Sequence, residues 1–421
     1  LCLVVATTCA AESESGATGA GSSASGAVGG SGHSRLHDAA CPPGCASEAR
    51  VALDHDGNPV PAGSQPASPG KEALGQKMTL EFVGDLLDES TLADLLSSDV
   101  LTGLSSEQKF LPSVYHYDDE GSRLYAQITE LDEYYPTRTE AAIMDEHKED
   151  IARFASGLDV GDVARPFHLV ELGAGDGRKT RVLLKHFIER QLPFDYVSVD
   201  ISEGALRAQA EILKSSDIDF SAESSMREVR LMVADNVQAI RTLRHSLDRV
   251  LVMFLGSSIG NLDDDEILMF LGKVWRALRH GDLLYIGFDL RKDPHVISKA
   301  YNDSQGVTAA FNLNILERLN RQLDANFSTD NFQFFSWYSA FDGYVTSVLQ
   351  AKRDHTVAVQ KLRRVFDFAE TETVHTEVSR KFRLSDIERY AAHSGFDVVS
   401  HFLDERRWFC DSLWRVNKMR E

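Results

Sequence analysis

The chain has 421 residues, of which 43% are hydrophobic and 26% are charged, as expected for a globular protein with one large core or two smaller ones. Its formal net charge is −20, with 64 acidic residues against 44 basic ones. That average field repels polyanions and the sequence has no strongly basic patch, so we expect no nucleic-acid partner. No apolar run is long enough to span a bilayer, so we expect no membrane association.

The N-terminal stretch, residues 1–75, differs in composition from the rest of the chain. It is rich in Gly, Ala, Ser and Pro, and such a segment cannot bury enough apolar surface to offset its ordering entropy. We therefore predict that it is disordered and lies outside the fold. Its opening letters, LCLVVATTCA, are typical either of the end of a targeting peptide or of upstream sequence without function.

Cysteine usage indicates a reducing compartment, which we take to be the cytoplasm. The chain has five cysteines, which are too few and too scattered for a disulfide scaffold. Cys41 and Cys45 are the best spaced for a metal, but no second pair or histidine cluster accompanies them. We expect no metal site.

The region before residue 160 is predicted to be helical. Segments 79–98 and 105–111 have the pattern of short helices, and 120–131 places apolar residues at helical spacing. Pro136 and the threonines after it supply a turn and candidate N-caps for a helix from Thr139 to about residue 154.

The middle of the chain alternates between apolar strands and amphipathic helices. Such alternation predicts a parallel sheet that is covered on both faces. Segment 291–345 is predicted to be mostly helical, and the chain from about 346 returns to strands, with a helix near 385–393. The predicted strands of the middle region are 167–172, 195–200, 228–234, 248–255 and 282–288.

A glycine-rich turn follows the first of these strands in VELGAGDGRKT, residues 170–180. Glycines such as Gly173 and Gly175 let the backbone approach a ligand closely, and the helix that follows offers unpaired N–H groups. NAD-binding proteins share this kind of turn, so it does not identify the ligand by itself.

Acidic residues at the ends of the next two strands narrow the choice of ligand. Asp200 closes the second strand, where a ribose is hydrogen-bonded, and Asp235 ends the third, within reach of an adenine amino group. Either acid alone has the simpler interpretation of a surface carboxylate. Together they favour a nucleoside cofactor. At the end of the fourth strand, FLGSSIGNL (254–262) either contacts a methyl acceptor through Asn261 or is a tight turn capped by Asn261.

In this order, the motifs resemble the histidine-specific methyltransferase family of ergothioneine biosynthesis, over residues 110–385. Several of these strings are long and unusual, so chance is a poor explanation. The resemblance rests on YDDEGSRLYAQITELDEYYPTRTE (117–140), VELGAGDGRKT (170–180), FLGSSIGNL (254–262), DLRKDP (289–294), AYNDSQGVTAAFNLNILERLN (300–320) and HTEVSRKF (375–382).

The resemblance implies an α/β protein with a Rossmann-like class I methyltransferase fold. Its cofactor domain comprises residues 139–290 and 382–421, and it binds S-adenosylmethionine. A second, substrate-binding domain is formed by the preceding segment, 76–138, together with an insertion after the fifth strand, 291–381. We expect a monomer that acts on a small amino acid.

Site residues follow from the same resemblance, position by position. Tyr117 lies beside the reacting amine, and Tyr134 with Asn261 holds the amino and carboxylate groups. Glu377 and Ser379 face the imidazole and set the choice of side chain. The residues implied to line the cofactor are Gly173, Gly175, Lys179, Asp200, Asp235 and Asn236. Without the resemblance, the two tyrosines have the simpler interpretation of interface residues and Glu377 that of a solvent-facing one.

One position departs from the family pattern. Where histidine enzymes of the family place a methionine against the imidazole, this chain aligns Ser347. A smaller residue enlarges the pocket, which opens the alternative of a tryptophan-type amine. Glu377 argues for histidine, because a carboxylate suits an imidazole N–H. A third hypothesis is a catalytically silent module that regulates a partner, against which the intact acceptor residues Tyr117, Tyr134 and Asn261 argue.

Overall fold

The computed structural model describes residues 71–75, 77–83, 89–243 and 248–419, which belong to one compact unit. Within them the strands are β1 (Lys71–Ala73), β2 (Met78–Phe82), β3 (Phe167–Leu172), β4 (Phe194–Asp200), β5 (Met226–Val233), β6 (Arg249–Phe254), β7 (Leu283–Asp289), β8 (Phe332–Tyr338), β9 (Tyr344–Ala351), β10 (His355–Val359), β11 (Arg364–Phe368), β12 (Thr373–Arg380), β13 (Phe396–Leu403) and β14 (Phe409–Val416). The α-helices are α1 (Glu89–Ser105), α2 (Asp119–Thr129), α3 (Tyr135–Glu146), α4 (Lys148–Ser156), α5 (Arg181–Glu189), α6 (Glu203–Ser215), α7 (Asn236–Thr242), α8 (Asp264–Ala277), α9 (Pro294–Tyr301), α10 (Val307–Leu323) and α11 (Leu384–His393).

The large sheet has the order β1-β2-β5-β4-β3-β6-β7-β14-β13. Strands β5, β4, β3, β6 and β7 are parallel, and β14 runs antiparallel between β7 and β13. The chain winds outwards from β3 in one direction and then, from β6, in the other. The point where this order reverses lies between β3 and β6, and ligands bind beyond the carboxyl ends of the strands at such a point.

Apolar strands explain why this sheet forms the centre of the molecule. Every residue of β3 and of β7 is buried, as expected for parallel strands that are covered on both faces. Two separate apolar clusters lie on the two faces, one including Val170 and Phe254 and the other Leu169 and Met253. The predicted α/β class is therefore confirmed, and the five predicted strands each agree with an observed strand to within two residues.

The region before β3 corrects three expectations. Residues 79–98 were predicted to be helical, but Met78–Phe82 is strand β2, which pairs in parallel with β5, and the helix begins only at Glu89. The second predicted helix, 105–111, does not form, because Ser105 ends α1 and residues 106–111 are not helical. Lys71–Ala73 was expected to be disordered but forms strand β1 on β2, whereas the rest of the predicted disorder, residues 1–70, lies outside the described residues.

A second core lies beside the large sheet and is built mostly by the chain between β7 and α11. Helices α9 and α10 lead into a three-stranded sheet, β12-β9-β8, and a hairpin of β10 and β11. Leu316, Leu349 and Phe368 belong to its apolar cluster, to which α1 also contributes. The expectation that 291–345 is mostly helical was wrong for β8, where apolar and aromatic residues form a strand. The domain boundaries themselves stay a prediction.

None of the described helices is long and apolar enough to cross a bilayer.

Candidate active site

The glycine turn after β3 opens onto the carboxyl end of the sheet. Gly173, Gly175 and Gly177 have positive φ angles of 63°, 56° and 65°, a conformation in which glycine is strongly favoured. A Cβ on Gly175 would meet no atom within 4 Å, whereas one on Gly177 would lie 2.3 Å from the buried Gln209 amide. Gly177 is therefore needed for packing, while Gly175 faces open space that is suited to a ligand.

The predicted cofactor acids lie at neighbouring strand ends, beside this turn. Asp200 ends β4, is 8% exposed and accepts a hydrogen bond of 2.9 Å from the backbone N–H of Ser202. Asp235 follows β5 and caps α7, where its Oδ1 accepts from two backbone N–H groups, and the buried Asn236 begins that helix. The capping bonds use Oδ1 alone. The structure thus brings five of these predicted residues, Gly173 and Gly175 included, to one edge of the sheet.

Lys179 connects the cofactor turn to the end of β6 through a residue that sequence reasoning missed. Glu140 is fully buried and forms an ion pair with Lys179, while its Oε1 accepts a hydrogen bond of 2.7 Å from the backbone N–H of Gly256. Burial lowers the pKa of Lys179, but its neighbours, Glu140 first among them, raise it. The result is a pKa above the ordinary value. A methyl group on Gly256 would lie 3.5 Å from the Lys179 ammonium. Gly256 therefore lies between the cofactor turn and the cleft described next.

A cleft of about 580 Å³, including its open mouth, lies beyond the ends of β6 and β12. Five of its fourteen lining residues are aromatic. The Tyr117 ring lies 5.4 Å from that of Phe311 and 5.6 Å from that of Tyr125, and Tyr134 lies 6.2 Å from Tyr301, between ring centroids. The lining residues are Tyr117, Tyr125, Ile128, Tyr134, Gly256, Ser257, Ser258, Asn261, Ala300, Tyr301, Thr308, Phe311, Glu377 and Ser379. All the predicted substrate residues except Ser347 are among them.

Polar groups of the cleft concentrate on one wall. Asn261 Nδ2 donates a hydrogen bond of 3.2 Å to Glu377 Oε1, and burial raises the pKa of Glu377 to about 7 despite this bond. On the same strand, the Ser379 hydroxyl lies 2.9 Å from that of Tyr301. This wall therefore offers an acceptor and hydroxyl donors within two residues of each other.

Tyr117 keeps its proton at neutral pH. Burial raises the pKa of its phenol well above 10, and the nearby Glu377 carboxylate raises it further. A protonated phenol orients a ligand through its hydroxyl and its ring face but does not remove a proton from an amine. The geometry thus fits an orienting role for Tyr117.

Ser347 does not line the cleft. It is 2% exposed and lies opposite Glu377 in the pairing of β9 with β12, with a register shift between His375 and Glu377. Residues that pair directly across antiparallel strands share a face, so Ser347 lies beside Glu377. Its effect on a ligand would therefore pass through Glu377.

Sequence reasoning also gave no role to Tyr125, Tyr301 and Phe311. All three are inside strings that carried the resemblance, YDDEGSRLYAQITELDEYYPTRTE and AYNDSQGVTAAFNLNILERLN. In the sequence, each of them is an aromatic residue beside an apolar helical stripe. That position does not assign a residue to a binding site, because such a residue is as often a part of the core.

Among the residues that the structure describes, one cluster of potential metal ligands occurs at the opposite edge of the sheet, near the amino ends of the strands. His168 Nδ1 lies 3.1 Å from Asp195 Oδ2, and Asp248 is close by. The guanidinium of Arg227 donates to both aspartates at 2.6 and 2.7 Å. Arg227 thus already supplies the positive charge that a metal would bring.

We expect Gly175→Ala to weaken cofactor binding while the protein still folds. An alanine at positive φ costs about 1 kcal/mol, and the added methyl group meets only open space, so the protein should fold. The same methyl group occupies the space beside the turn, so affinity for S-adenosylhomocysteine should fall about tenfold or more. Thermal melting and calorimetric titration check both points. A large loss of melting temperature with unchanged affinity would contradict this assignment.

Known proteins are similar to this chain over about three quarters of its length. Residues 96–416 match the family model described as histidine-specific methyltransferase, SAM-dependent. The chain is 36% identical over 334 residues to histidine N-alpha-methyltransferase of Mycolicibacterium smegmatis, covering 79% of this chain and 96% of that protein. It is 35% identical over 318 residues to the Mycobacterium tuberculosis protein of the same name, covering 76% and 94%. Ergothioneine biosynthesis protein 1 of Schizosaccharomyces pombe is 28% identical over 297 residues, covering 69% and 37%.

The sheet order, the glycine turn and the acids at successive strand ends define a class I S-adenosylmethionine-dependent methyltransferase. The match extends over about three quarters of the chain and includes the cleft and every strand of the large sheet except β1 and β2. The chain belongs to the histidine-specific, SAM-dependent methyltransferase family.

Proposed function

We propose that this enzyme transfers methyl groups from S-adenosylmethionine to the α-amino group of free L-histidine, stepwise, to give the trimethylated betaine, hercynine. This is the first step of ergothioneine biosynthesis. The observation that carries the proposal is the cleft, which combines aromatic walls with the Glu377–Asn261 pair and adjoins the cofactor turn at Gly256. The mycobacterial and fungal relatives, by their names, support it.

Histidine fits the polar wall of the cleft. A neutral imidazole has one N–H and one bare nitrogen, so it needs an acceptor and a donor. Glu377 supplies the acceptor and Ser379 the donor, two residues apart on β12. Tyr134 and Asn261 are assigned to the amino and carboxylate groups at the other end of the amino acid. The negatively charged Glu377 also disfavours a purely apolar side chain.

Aromatic walls suit the products as well as the substrate. The mono- and dimethylated amines are cations when they are protonated, and the trimethylated amine is a permanent cation. Faces of aromatic rings bind quaternary ammonium groups by cation–π attraction. Tyr117, Tyr125 and Phe311, whose ring centroids lie 5.4 to 6.1 Å apart, form such a surface and support successive methylation in one cleft.

The cofactor fits the residues at the sheet edge. The open space beside Gly175 leaves room for the cofactor, and Asp200 at the end of β4 suits a ribose hydroxyl. Lys179, Asp235 and Asn236 complete the assigned set. The bound cofactor supplies a methyl group on a sulfonium, which is a good leaving group.

The protein's task is mainly to position the amine. A free amino acid carries an ammonium, which must lose a proton before its lone pair can attack. Tyr117 and Tyr134 surround it with ring faces and hydroxyls that displace water, and desolvation lowers the pKa of an ammonium. The proton leaves to solvent through the open mouth of the cleft, since the phenol of Tyr117 stays protonated.

Methylation of a tryptophan-type amine is the alternative. It was suggested by the small residue Ser347, but Ser347 lies outside the cleft lining, so its size does not enlarge the cleft directly. The retained Glu377 favours histidine. Action as a monomer in the cytoplasm stays a prediction.

Calorimetric titration tests the proposal. Histidine, its dimethylated form and tryptophan are titrated separately into protein saturated with S-adenosylhomocysteine. We expect histidine and the dimethylated form to bind and tryptophan to bind at least about a hundredfold more weakly. Binding of tryptophan but not histidine would replace the proposal by its alternative.

We also expect Glu377→Gln to stabilise the fold at high pH. The carboxyl has its pKa raised to about 7 in the fold, against 4.5 for the unfolded chain, so the folded state binds this proton more tightly. Its ionised form therefore costs stability above pH 7, and the cost disappears as the pH falls towards 4.5. After discounting for its partial exposure, Gln should raise the free energy of unfolding by about 2 kcal/mol at pH 8 and by less than about 1 kcal/mol at pH 5. Urea denaturation at the two pH values decides, and an equal effect at both would refute this.

A further inference from the structure

Two motifs that carried the family resemblance, DLRKDP and HTEVSRKF, meet behind the cleft in a buried charged network. Asp289 and Lys381 are both 0% exposed, and Lys381 Nζ lies 3.0 Å from Asp289 Oδ2. Asp289 also accepts hydrogen bonds from the Tyr135 hydroxyl, at 2.8 and 2.9 Å, and pairs with Lys292. Two lysines thus share one buried carboxylate, and only one of them reaches the cleft wall.

Lys381 contacts two lining residues of the cleft. Its ammonium donates to the Tyr301 hydroxyl oxygen at 2.7 Å and to the Ser379 hydroxyl oxygen at 2.8 Å. An ammonium has three protons and can never accept a hydrogen bond. With Asp289 as the third partner, every proton of Lys381 is committed. Burial lowers the pKa of Lys381, but Asp289 and Tyr301 raise it above its ordinary value, so the side chain stays charged.

The direction of these bonds constrains the two hydroxyls. Because each oxygen accepts from Lys381, neither hydroxyl proton can point back at the lysine. One of the two protons forms the 2.9 Å bond between Tyr301 and Ser379, whichever residue donates it. The other proton is left over and is free to point towards the cleft, which both residues line. Of the four lone pairs on the two oxygens, Lys381 occupies two and the bond between the hydroxyls a third. The pair Tyr301 and Ser379, which we call the donor wall, therefore keeps one proton to donate and a single lone pair.

We propose that Lys381 is a positioning residue that biases the donor wall towards donating a proton, so that this side of the cleft selects a substrate group with a free lone pair. In histidine such a group is either the carboxylate or the bare ring nitrogen. This inference rests on the proposed function, which it deepens by adding a determinant of specificity that does not itself line the cleft.

The test compares Lys381→Met with Lys292→Met. Both variants remove a lysine from Asp289 and leave the other as its counter-charge, but only Lys381 contacts the donor wall, whereas Lys292 contacts Tyr135. Dissociation constants are measured by calorimetry, on protein saturated with S-adenosylhomocysteine, for histidine, for histidinol and for β-(2-thienyl)alanine. Histidinol lacks the carboxylate, and the thienyl compound lacks the ring nitrogens.

In Lys381→Met we expect histidine to bind at least about tenfold more weakly. The affinity for one of the two analogues should fall much less. The wild-type preference for histidine over that analogue should shrink about fivefold or more, which identifies the group that faces the donor wall. Lys292→Met should keep the preference within about twofold, and both variants should bind S-adenosylhomocysteine as the wild type does. An unchanged preference in Lys381→Met, or an equal loss in Lys292→Met, would overturn the inference.

Lys381→Gln covers the case in which Lys381→Met does not fold. Its amide oxygen can accept from a hydroxyl and draw the spare proton away from the cleft, so the preference should shrink here too. A retained preference in this variant would also overturn the inference. Failure of the proposed function would be seen separately, because the wild type would then not bind histidine.

Discussion

Replacing Glu377 by alanine should weaken histidine binding about thirtyfold, or about 2 kcal/mol, without affecting the cofactor. The carboxylate lies in the cleft wall, is held by Asn261 Nδ2 at 3.2 Å, and is assigned to the imidazole N–H. Its removal deletes a charge-assisted hydrogen bond and leaves the Asn261 amide without that acceptor. Calorimetry of histidine with protein saturated with S-adenosylhomocysteine measures the loss.

A matched control is Glu370→Ala, which removes an exposed carboxylate that precedes the same strand. It should leave the dissociation constant of histidine within about twofold of the wild-type value. The affinity for S-adenosylhomocysteine should stay unchanged in both variants. Equal histidine affinity in Glu377→Ala and the wild type would remove the basis for assigning this residue to the imidazole.

Replacing Lys179 by methionine should cost about 3 kcal/mol in the free energy of unfolding at pH 8. Glu140 has 0% exposure, and Lys179 is the cation paired with it, so the variant leaves a buried carboxylate without its counter-charge. Asp411 is buried nearby, and the closeness of Glu140 adds to burial in raising its pKa well above the ordinary value.

Lys185→Met provides the control for this effect. Lys185 lies on α5, a few residues further along, and forms an ion pair with Asp217 in which both side chains are exposed. Exposed pairs contribute little, so this variant should change the free energy of unfolding by less than about 0.5 kcal/mol. Urea denaturation of the two variants at pH 8 makes the comparison. Similar small losses would mean that Glu140 is stabilised by other groups.

Apolar periodicity predicted the central sheet well, because parallel strands that are buried on both faces leave a continuous apolar run in the sequence. The same argument failed for β2 and β8. In β2 the run is short and broken by Thr79 and Glu81, and the buried Glu81 is paired with Arg230, at 2.7 Å on the neighbouring strand. That partner is 149 residues away in the chain, beyond the reach of any local pattern.

The candidate site, too, could be predicted only in part from the sequence. Strand ends of a parallel sheet meet at one edge, so Gly173, Asp200 and Asp235 could be grouped from the sequence. Glu140 and Lys381 could not be given roles, because their partners come from distant segments and each touches the site only through another residue. Burial of such charges depends on the tertiary fold, which a sequence pattern does not record.

Glu140 accepts from the backbone of Gly256 while it pairs with Lys179, and this shared carboxylate has a thermodynamic consequence. Two pockets that adjust the same buried group cannot be filled independently. If occupancy of one multiplies the affinity of the other by some factor, occupancy of the second must multiply the affinity of the first by that same factor. The factor by which the spent cofactor changes the affinity for the methylated amine should therefore equal the factor by which the amine changes the affinity for the spent cofactor.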